Sequence, residues 1–127
     1  AVYAGSDKDG SKLFAGRARH EGDLLPAKIA PAHGGAFVPY SGKEHSKFEF
    51  EYLRTDHAAW KYARNGNVPA EAICFGRTIN GENLYMGRVF HDGTLTPGKV
   101  HRSHGCLYIP YGGEELKFTE YEVLILL

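Results

Sequence analysis

Polar and apolar positions along this chain alternate in short bursts separated by turn residues. "KLFAGRAR" (12–19) and "NLYMGRVF" (83–90) are runs rich in strand formers, each about eight residues long. "GAFVPY" (35–40) and "CLYIPY" (106–111) are shorter, and a proline near the end of each suits a strand end or an edge. "FEFEYL" (48–53) alternates apolar and acidic residues, as does the first half of "EYEVLIL" (120–126), the period-two pattern of a strand with one buried face. "DKDG" (7–10) and "INGEN" (79–83) carry hairpin turn chemistry. One segment reads as helix: "TDHAAWKYA" (55–63), with Asp56 as its N-cap and "RNGNVP" (64–69) as its stop. The pattern predicts an all-β protein of short antiparallel strands, with at most one short helix or turn between the halves.

The strand pattern is written twice. An offset of 71 residues aligns 1–56 with 72–127 without a gap, and about 20 of 56 positions are identical. Gly5, Gly10, Gly16, Gly22, Pro26, Lys28, Gly34, Pro39 and Gly42 recur as Gly76, Gly81, Gly87, Gly93, Pro97, Lys99, Gly105, Pro110 and Gly113. Most of the shared residues are glycine and proline, which specify backbone shape and say little about ligands. The expected organisation is a first repeat at 1–56, a linker with Trp60 at 57–71, and a second repeat at 72–127. Two copies are too few for a solenoid, so the halves are expected to pack together as one unit with pseudo-twofold symmetry.

Composition narrows the partners. The chain has 127 residues, with 15 Lys plus Arg against 15 Asp plus Glu. That balance argues against nucleic acid or an anionic membrane as the main partner, since both call for a basic surface. No apolar run reaches the ~18 residues of a membrane span, so membrane insertion is not expected. Cys74 and Cys106 do not form a disulfide framework and read as reduced structural residues. The chain shows no signal peptide, and both secreted and cytoplasmic locations stay open.

Several motifs together are distinctive: G-x-x-x-P-x-K, H-G, P-Y-x-G and Y-E-V-L in order, and a W-x5-G-N-V-P segment from Trp60 to Pro69 that introduces the second copy. The chain resembles tandem DM-nine repeat proteins over nearly its whole length. That family includes invertebrate mannose-binding lectins, and its domain also occurs in natterin-like pore-forming proteins. The resemblance implies an intertwined all-β repeat pair, commonly a homodimer, that binds mannose-containing glycans, including those of microbial surfaces, without calcium. It carries the sugar-contacting positions onto Asp7, Asp23 and Lys28. A carboxylate accepts hydrogen bonds from vicinal hydroxyls and an ammonium donates to their oxygens, at about 1.5–3 kcal/mol for each charged bond. The second copy has Thr78, Thr94 and Lys99 at these positions, so its site is expected to be weaker. The given chain begins at "AVYAG" without a first-copy counterpart of the Trp60–Pro69 lead-in, which was either trimmed or never present.

The same residues support a plainer account. Asp7 suits turn duty, and Asp23 suits a solvated Gly-Asp turn. Lys28 and Lys99 could equally close structural ion pairs. Glu44 and Glu115 are read as loop braces accepting backbone N–H bonds, and Lys43 and His45 as surface groups. His33 and His104 read as hydrogen-bonded structural histidines. The spacing of His101, His104 and Cys106 is reminiscent of metal ligands, but the first copy has Ala30, His33 and Gly35 there, and neither a metal nor another cofactor is expected. No motif supports Cys106 as a nucleophile, and the chain is read as a non-enzyme with no catalytic residue. The recurring aromatics Phe14/Tyr85, Phe37/Tyr108 and Phe50/Tyr121 are expected in the core, and Trp60 is expected to anchor the linker. An oligomerising or targeting module, related to natterin-like or vesicle-associated proteins, is the alternative to a lectin.

Overall fold

A computed structural model describes residues 1–127. Its thirteen strands are β1 (Tyr3–Ser6), β2 (Lys12–His20), β3 (Asp23–Ala30), β4 (Gly35–Tyr40), β5 (Lys43–Lys47), β6 (Glu51–Tyr52), β7 (Ala58–Arg64), β8 (Gly76–Arg77), β9 (Asn83–His91), β10 (Thr94–His101), β11 (Cys106–Tyr111), β12 (Glu114–Phe118) and β13 (Glu120–Leu126). The only helical pieces are two 3-10 turns, Pro31–His33 and Arg102–His104. Strands β2 to β5 and the first 3-10 turn recur as β9 to β12 and the second, with every boundary displaced by 71 residues.

The sheet closes on itself. All strand pairings are antiparallel, and a circuit runs β2–β1–β10–β11–β12–β5–β4–β3 and back to β2, which makes an antiparallel β-barrel. The halves interleave within it, because β1 pairs with β10 at Ser6 and Leu95, and β8 pairs with β3 at Arg77 and Leu24. These two contacts are each other's counterpart at the offset of 71. So is the junction of β5 with β12, where Lys43 pairs with Glu114.

β3 and β10 sit at the branch points. Every residue of β3 is buried, and so is every residue of β10 but Leu95. Their P-x-K motifs lie inside the strands, which run straight through each proline. Pro26 is tolerated because the outer edge of β3 changes partner there: β8 meets it at Leu24 and β4 from Lys28. The residue without an N–H falls in the interval between them. Pro97 occupies the same interval between Leu95 and Lys99 of β10.

Three apolar clusters fill the interior. One belongs largely to the first half (Leu25, Ile29, Val38) but takes Leu84 from the second. Another gathers Val100, Leu107, Ile109, Tyr121 and Val123. The third, with Val2, Ala15, Phe75, Met86 and Leu124, is shared between the halves. Each fully buried leucine or methionine contributes about 1.5–3 kcal/mol.

Two sequence expectations are corrected. Residues 58–64 form strand β7, not a helix, paired along the outer edge of β13 from Ala58↔Leu126 to Arg64↔Glu120. Tertiary pairing overrides the helical character of the alanines, helped by Trp60 and Tyr62, which favour strands. Trp60 does anchor this segment, packing against the shared cluster with the Arg88 guanidinium 4.2 Å from its ring centre. Nor are all the recurring aromatics core residues. Tyr121 is 3% exposed, but Phe50 is 37% exposed, and Phe37 and Tyr108 flank buried lysines.

Candidate functional site

The P-x-K lysines lie at the branch points of the barrel, both deeply buried. Lys28 Nζ donates to the Pro110 carbonyl at 2.6 Å and pairs with Glu44 Oε2 at 3.2 Å, between the rings of Phe37 and Tyr111. Lys99 Nζ pairs with Glu115 Oε2 at 3.0 Å, between Tyr40 and Tyr108. The structural ion pair therefore exists in both copies. The glutamates are also loop braces, and they brace across the halves. Glu44 Oε1 accepts from Gly113 N and Glu115 Oε1 from Gly42 N, both at 2.9 Å.

A charged cluster stands beside Lys28. The β9–β10 hairpin is a two-residue turn with Asp92 at φ 50° and Gly93 at φ 75°, the left-handed pair that tight hairpins require. It holds Asp92 where its Oδ2 accepts from the Tyr111 hydroxyl at 2.8 Å and faces the Lys8 ammonium at 3.1 Å. The Tyr111 hydrogen bond, then the Lys8 contact, keep the Asp92 carboxyl below its usual range. The same bond to Asp92 raises the Tyr111 phenol, and the nearby Asp7 charge adds to that. Asp7 starts the β1–β2 turn, its carbonyl accepting from Gly10 N and its Oδ1 from Lys8 N. Its Oδ2 is 3.3 Å from His33 Nε2 and the side chain is 24% exposed. Asp7 thus has turn duty, with a partly exposed carboxylate held by Lys8 N and His33. Lys8 and Asp92 are exposed, and the Tyr111 ring lies 5.8 Å from the buried Lys28 ammonium, two of whose three donors are engaged by the Pro110 carbonyl and Glu44.

Asp23 does not join Asp7 and Lys28. It is 8% exposed, not solvated, and its Oδ1 accepts from Ile79 N at 2.7 Å, which fastens the second copy's turn. The interleaving of the halves causes this: each β1-type turn packs on the other half's hairpin. Thr78 belongs to that second turn, its hydroxyl accepting from Glu82 N at 3.1 Å. Thr94 is 2% exposed, with its hydroxyl donating to the His91 carbonyl and bonded to Thr96. The counterparts of Lys8, Asp92 and Tyr111 are Ile79, Glu21 and Tyr40, and Tyr40 packs edge-on against His20. The surroundings of Lys99 therefore lack the charge pattern found around Lys28.

The histidines divide by environment. His101 stacks face to face on His104 at 3.6 Å and directs Nε2 to Glu82 at 3.2 Å. Burial, then the His104 charge, push the His101 imidazole down. His104 Nδ1 lies 3.0 Å from the Tyr108 hydroxyl, the structural role expected of it. His45, read as a surface group, is half-buried against His20 and directs Nε2 to the Tyr40 carbonyl. Cys106 is buried, which raises its thiol, whereas Cys74 is exposed; both are free.

The family model of the DM9 repeat matches residues 7–118, which include both turns and both lysines. The chain belongs to the DM9 repeat family. This DM9 chain is 34% identical over 92 residues to natterin-4 of Thalassophryne nattereri, a match covering 69% of the chain and 21% of natterin-4. It is 34% identical over 71 residues to natterin-3 of the same species, covering 54% of the chain and 16% of natterin-3. The matched region is thus about a fifth or less of either relative's length. Among solved structures, the crystal structure of the nematode sperm cell motility protein MFP2B superposes with a TM-score of 0.63, over 91% of the DM9 chain and 37% of MFP2B. At 15% identity that likeness concerns the fold alone.

Sequence reasoning missed Lys8, Asp92 and Tyr111. Asp92 carried a readable signal, a "DG" pair between two strand patterns. Its contact with Lys8 spans 84 residues, and only the interleaved topology brings the two together.

Proposed function

We propose that this DM9 chain is a non-enzymatic lectin for mannose-type glycans, with Asp7 and Lys28 as the principal contacts and Asp92, Lys8 and Tyr111 around them. The observation that carries this reading is the gathering around Tyr111 of an exposed ion pair, Lys8 with Asp92, the partly exposed carboxylate of Asp7 and the buried Lys28 ammonium. Vicinal sugar hydroxyls are both donors and acceptors, and this set offers both in charged form. Asp23 drops out of the site and serves the opposite turn. The Lys99 side, with Thr78 in place of Asp7, is a weaker second site at most. Recognition needs no calcium on this reading, because the side chains supply the charge themselves.

The reciprocal pairings support a pseudo-twofold relation between the repeats. One shallow site per chain gives weak affinity, so assembly as a homodimer would supply the avidity for pattern recognition on microbial surfaces. Retention on mannan resin in the presence of a chelator tests the proposal. Wild type is expected to be held and eluted by free mannose, and Asp7→Asn to lose retention at least tenfold with its thermal midpoint unchanged. Full retention by the folded Asp7→Asn variant would remove Asp7 from the site.

A further inference from the structure

The W-x5-G-N-V-P segment has no part in the cluster around Lys28, yet it shapes a second polar hollow. The turn after β7 sets two successive residues to positive φ, Asn65 at 57° and Gly66 at 84°. Gly66 comes so close to the second 3-10 turn that an added Cβ would lie 2.7 Å from Gly105 Cα and 2.8 Å from the Arg102 carbonyl oxygen. Asn65 N donates to the Thr119 carbonyl and the Tyr121 hydroxyl to the Asn67 carbonyl, each at 2.9 Å. The opposite wall is the turn leading into β9. There Glu82 Oε1 accepts from the Ser103 hydroxyl at 2.6 Å and Oε2 from Ser103 N at 3.0 Å, which ties that turn to the 3-10 turn as well.

Between these walls lies a hollow of about 460 Å³ in which Tyr85 is the one hydrophobic lining residue. The linker turn contributes Asn65 and Asn67, the start of β9 Asn83, and the 3-10 turn Arg102. These four residues are exposed, and none of their side chains makes a hydrogen bond or an ion pair within the chain. The backbone that carries them is already ordered, which lowers the cost of engaging a ligand. Burial raises the Tyr121 phenol and the Arg102 charge works against it, so the guanidinium stands near the linker turn that this hydroxyl holds. Glu82 is the one acid among the lining residues, and both its oxygens are engaged by Ser103 and His101.

An asparagine amide offers an acceptor oxygen and two donor hydrogens, a match for sugar hydroxyls. A guanidinium is a planar fork that fits a carboxylate through two parallel bonds. A half-buried tyrosine ring suits the apolar face of a sugar. We propose that this hollow is a second saccharide site, for a glycan unit that carries a carboxylate, a hexuronic acid, with Arg102 on the carboxylate and Asn65, Asn67 and Asn83 on the hydroxyls. The proposal goes beyond the mannose reading, and its site shares no residue with the cluster around Lys28. Mannose has no carboxylate and leaves the guanidinium without an anionic partner.

An NMR titration of the isotope-labelled chain with D-glucuronate tests this, beside a titration with D-glucose, which has a hydroxymethyl group in place of the carboxylate. Glucuronate is expected to shift the backbone amide signals of residues 65–67, 82–83 and 102–103 saturably. Glucose is expected to bind about tenfold more weakly, for want of the charged two-point contact. Arg102→Gln is expected to remove the preference for glucuronate, and Asn67→Ala to weaken both sugars. Both variants alter exposed side chains and are expected to keep the thermal midpoint of the wild type. Retention on mannan reads the other site, so the two proposals fail separately. Absence of saturable shifts at these residues, equal affinity for the two sugars, or a glucuronate preference that survives Arg102→Gln would overturn the proposal.

Discussion

Lys99→Ala is expected to lower the unfolding free energy by about 3–5 kcal/mol, the cost of stranding one charge of a buried pair. Glu115 Oε2 is sealed from solvent and has no hydrogen-bond partner, so the ammonium 3.0 Å away is its sole counter-charge. Removing the lysine, which lies between the rings of Tyr40 and Tyr108, leaves that carboxylate buried without a counter-charge. Replacing both members, Lys99→Met with Glu115→Leu, is expected to recover most of the loss, because an apolar pair of similar volume has no charge to desolvate. Recovery will be incomplete, since Glu115 Oε1 also accepts from Gly42 N. Lys28→Ala is expected to cost less, because the Glu44 side chain is 15% exposed where that of Glu115 is 9%. Urea titration of the four variants measures the series. A single-variant cost below about 1 kcal/mol would show a pair worth no more than a surface ion pair.

Gly5→Ala is expected to cost about 3 kcal/mol, at the upper end for overpacking a rigid site. A Cβ at Gly5 would overlap the carbonyl oxygen of Leu95, a backbone atom without a flexible side chain's freedom to move. The collision falls where β1 of one half meets β10 of the other. Gly76→Ala repeats it at the Leu24 carbonyl, where β8 meets β3, and is expected to cost a similar amount. Gly10→Ala is the contrast: its Cβ would meet open space, and only the positive φ of 85° is penalised, by about 1–2 kcal/mol. Thermal unfolding of the three variants gives the ranking. Equal losses at Gly5 and Gly10 would mean that the interleaved junction is not a tight contact.

Much of the architecture was legible in the sequence, and the failures have physical causes. "KLFAGRAR", "GAFVPY" and "EYEVLIL" became β2, β4 and β13 because strand formers and turn residues agreed locally. "GDLLPAKIA" hid a strand: a proline and a lysine in its middle look like a turn until the partner change at Pro26 and the cage around Lys28 are seen. "AAWKYAR" favours helix by local preference, and only the edge of β13 makes it a strand. "FEFEYL" is a strand at Glu51–Tyr52 alone, where β2 offers a partner.

The candidate site was legible one residue at a time, not as a constellation. Asp7 and Lys28 each lie near Tyr111, the lysine 5.8 Å from its ring and the aspartate close enough to raise its phenol. Asp23 was grouped with them because it lies in the same repeat, but β1 crosses to the other half and leaves Asp23 facing Ile79. Repeat membership reveals which positions are equivalent; it does not reveal which ones meet.

Calorimetric titration with mannose, in chelator and with the protein's molar mass measured alongside, tests the central reading most directly. The account predicts one dominant site per chain, abolished by Asp7→Asn and unaffected by Asp23→Asn in a folded protein. Two equal sites per chain, or a single site that survives Asp7→Asn, would contradict it.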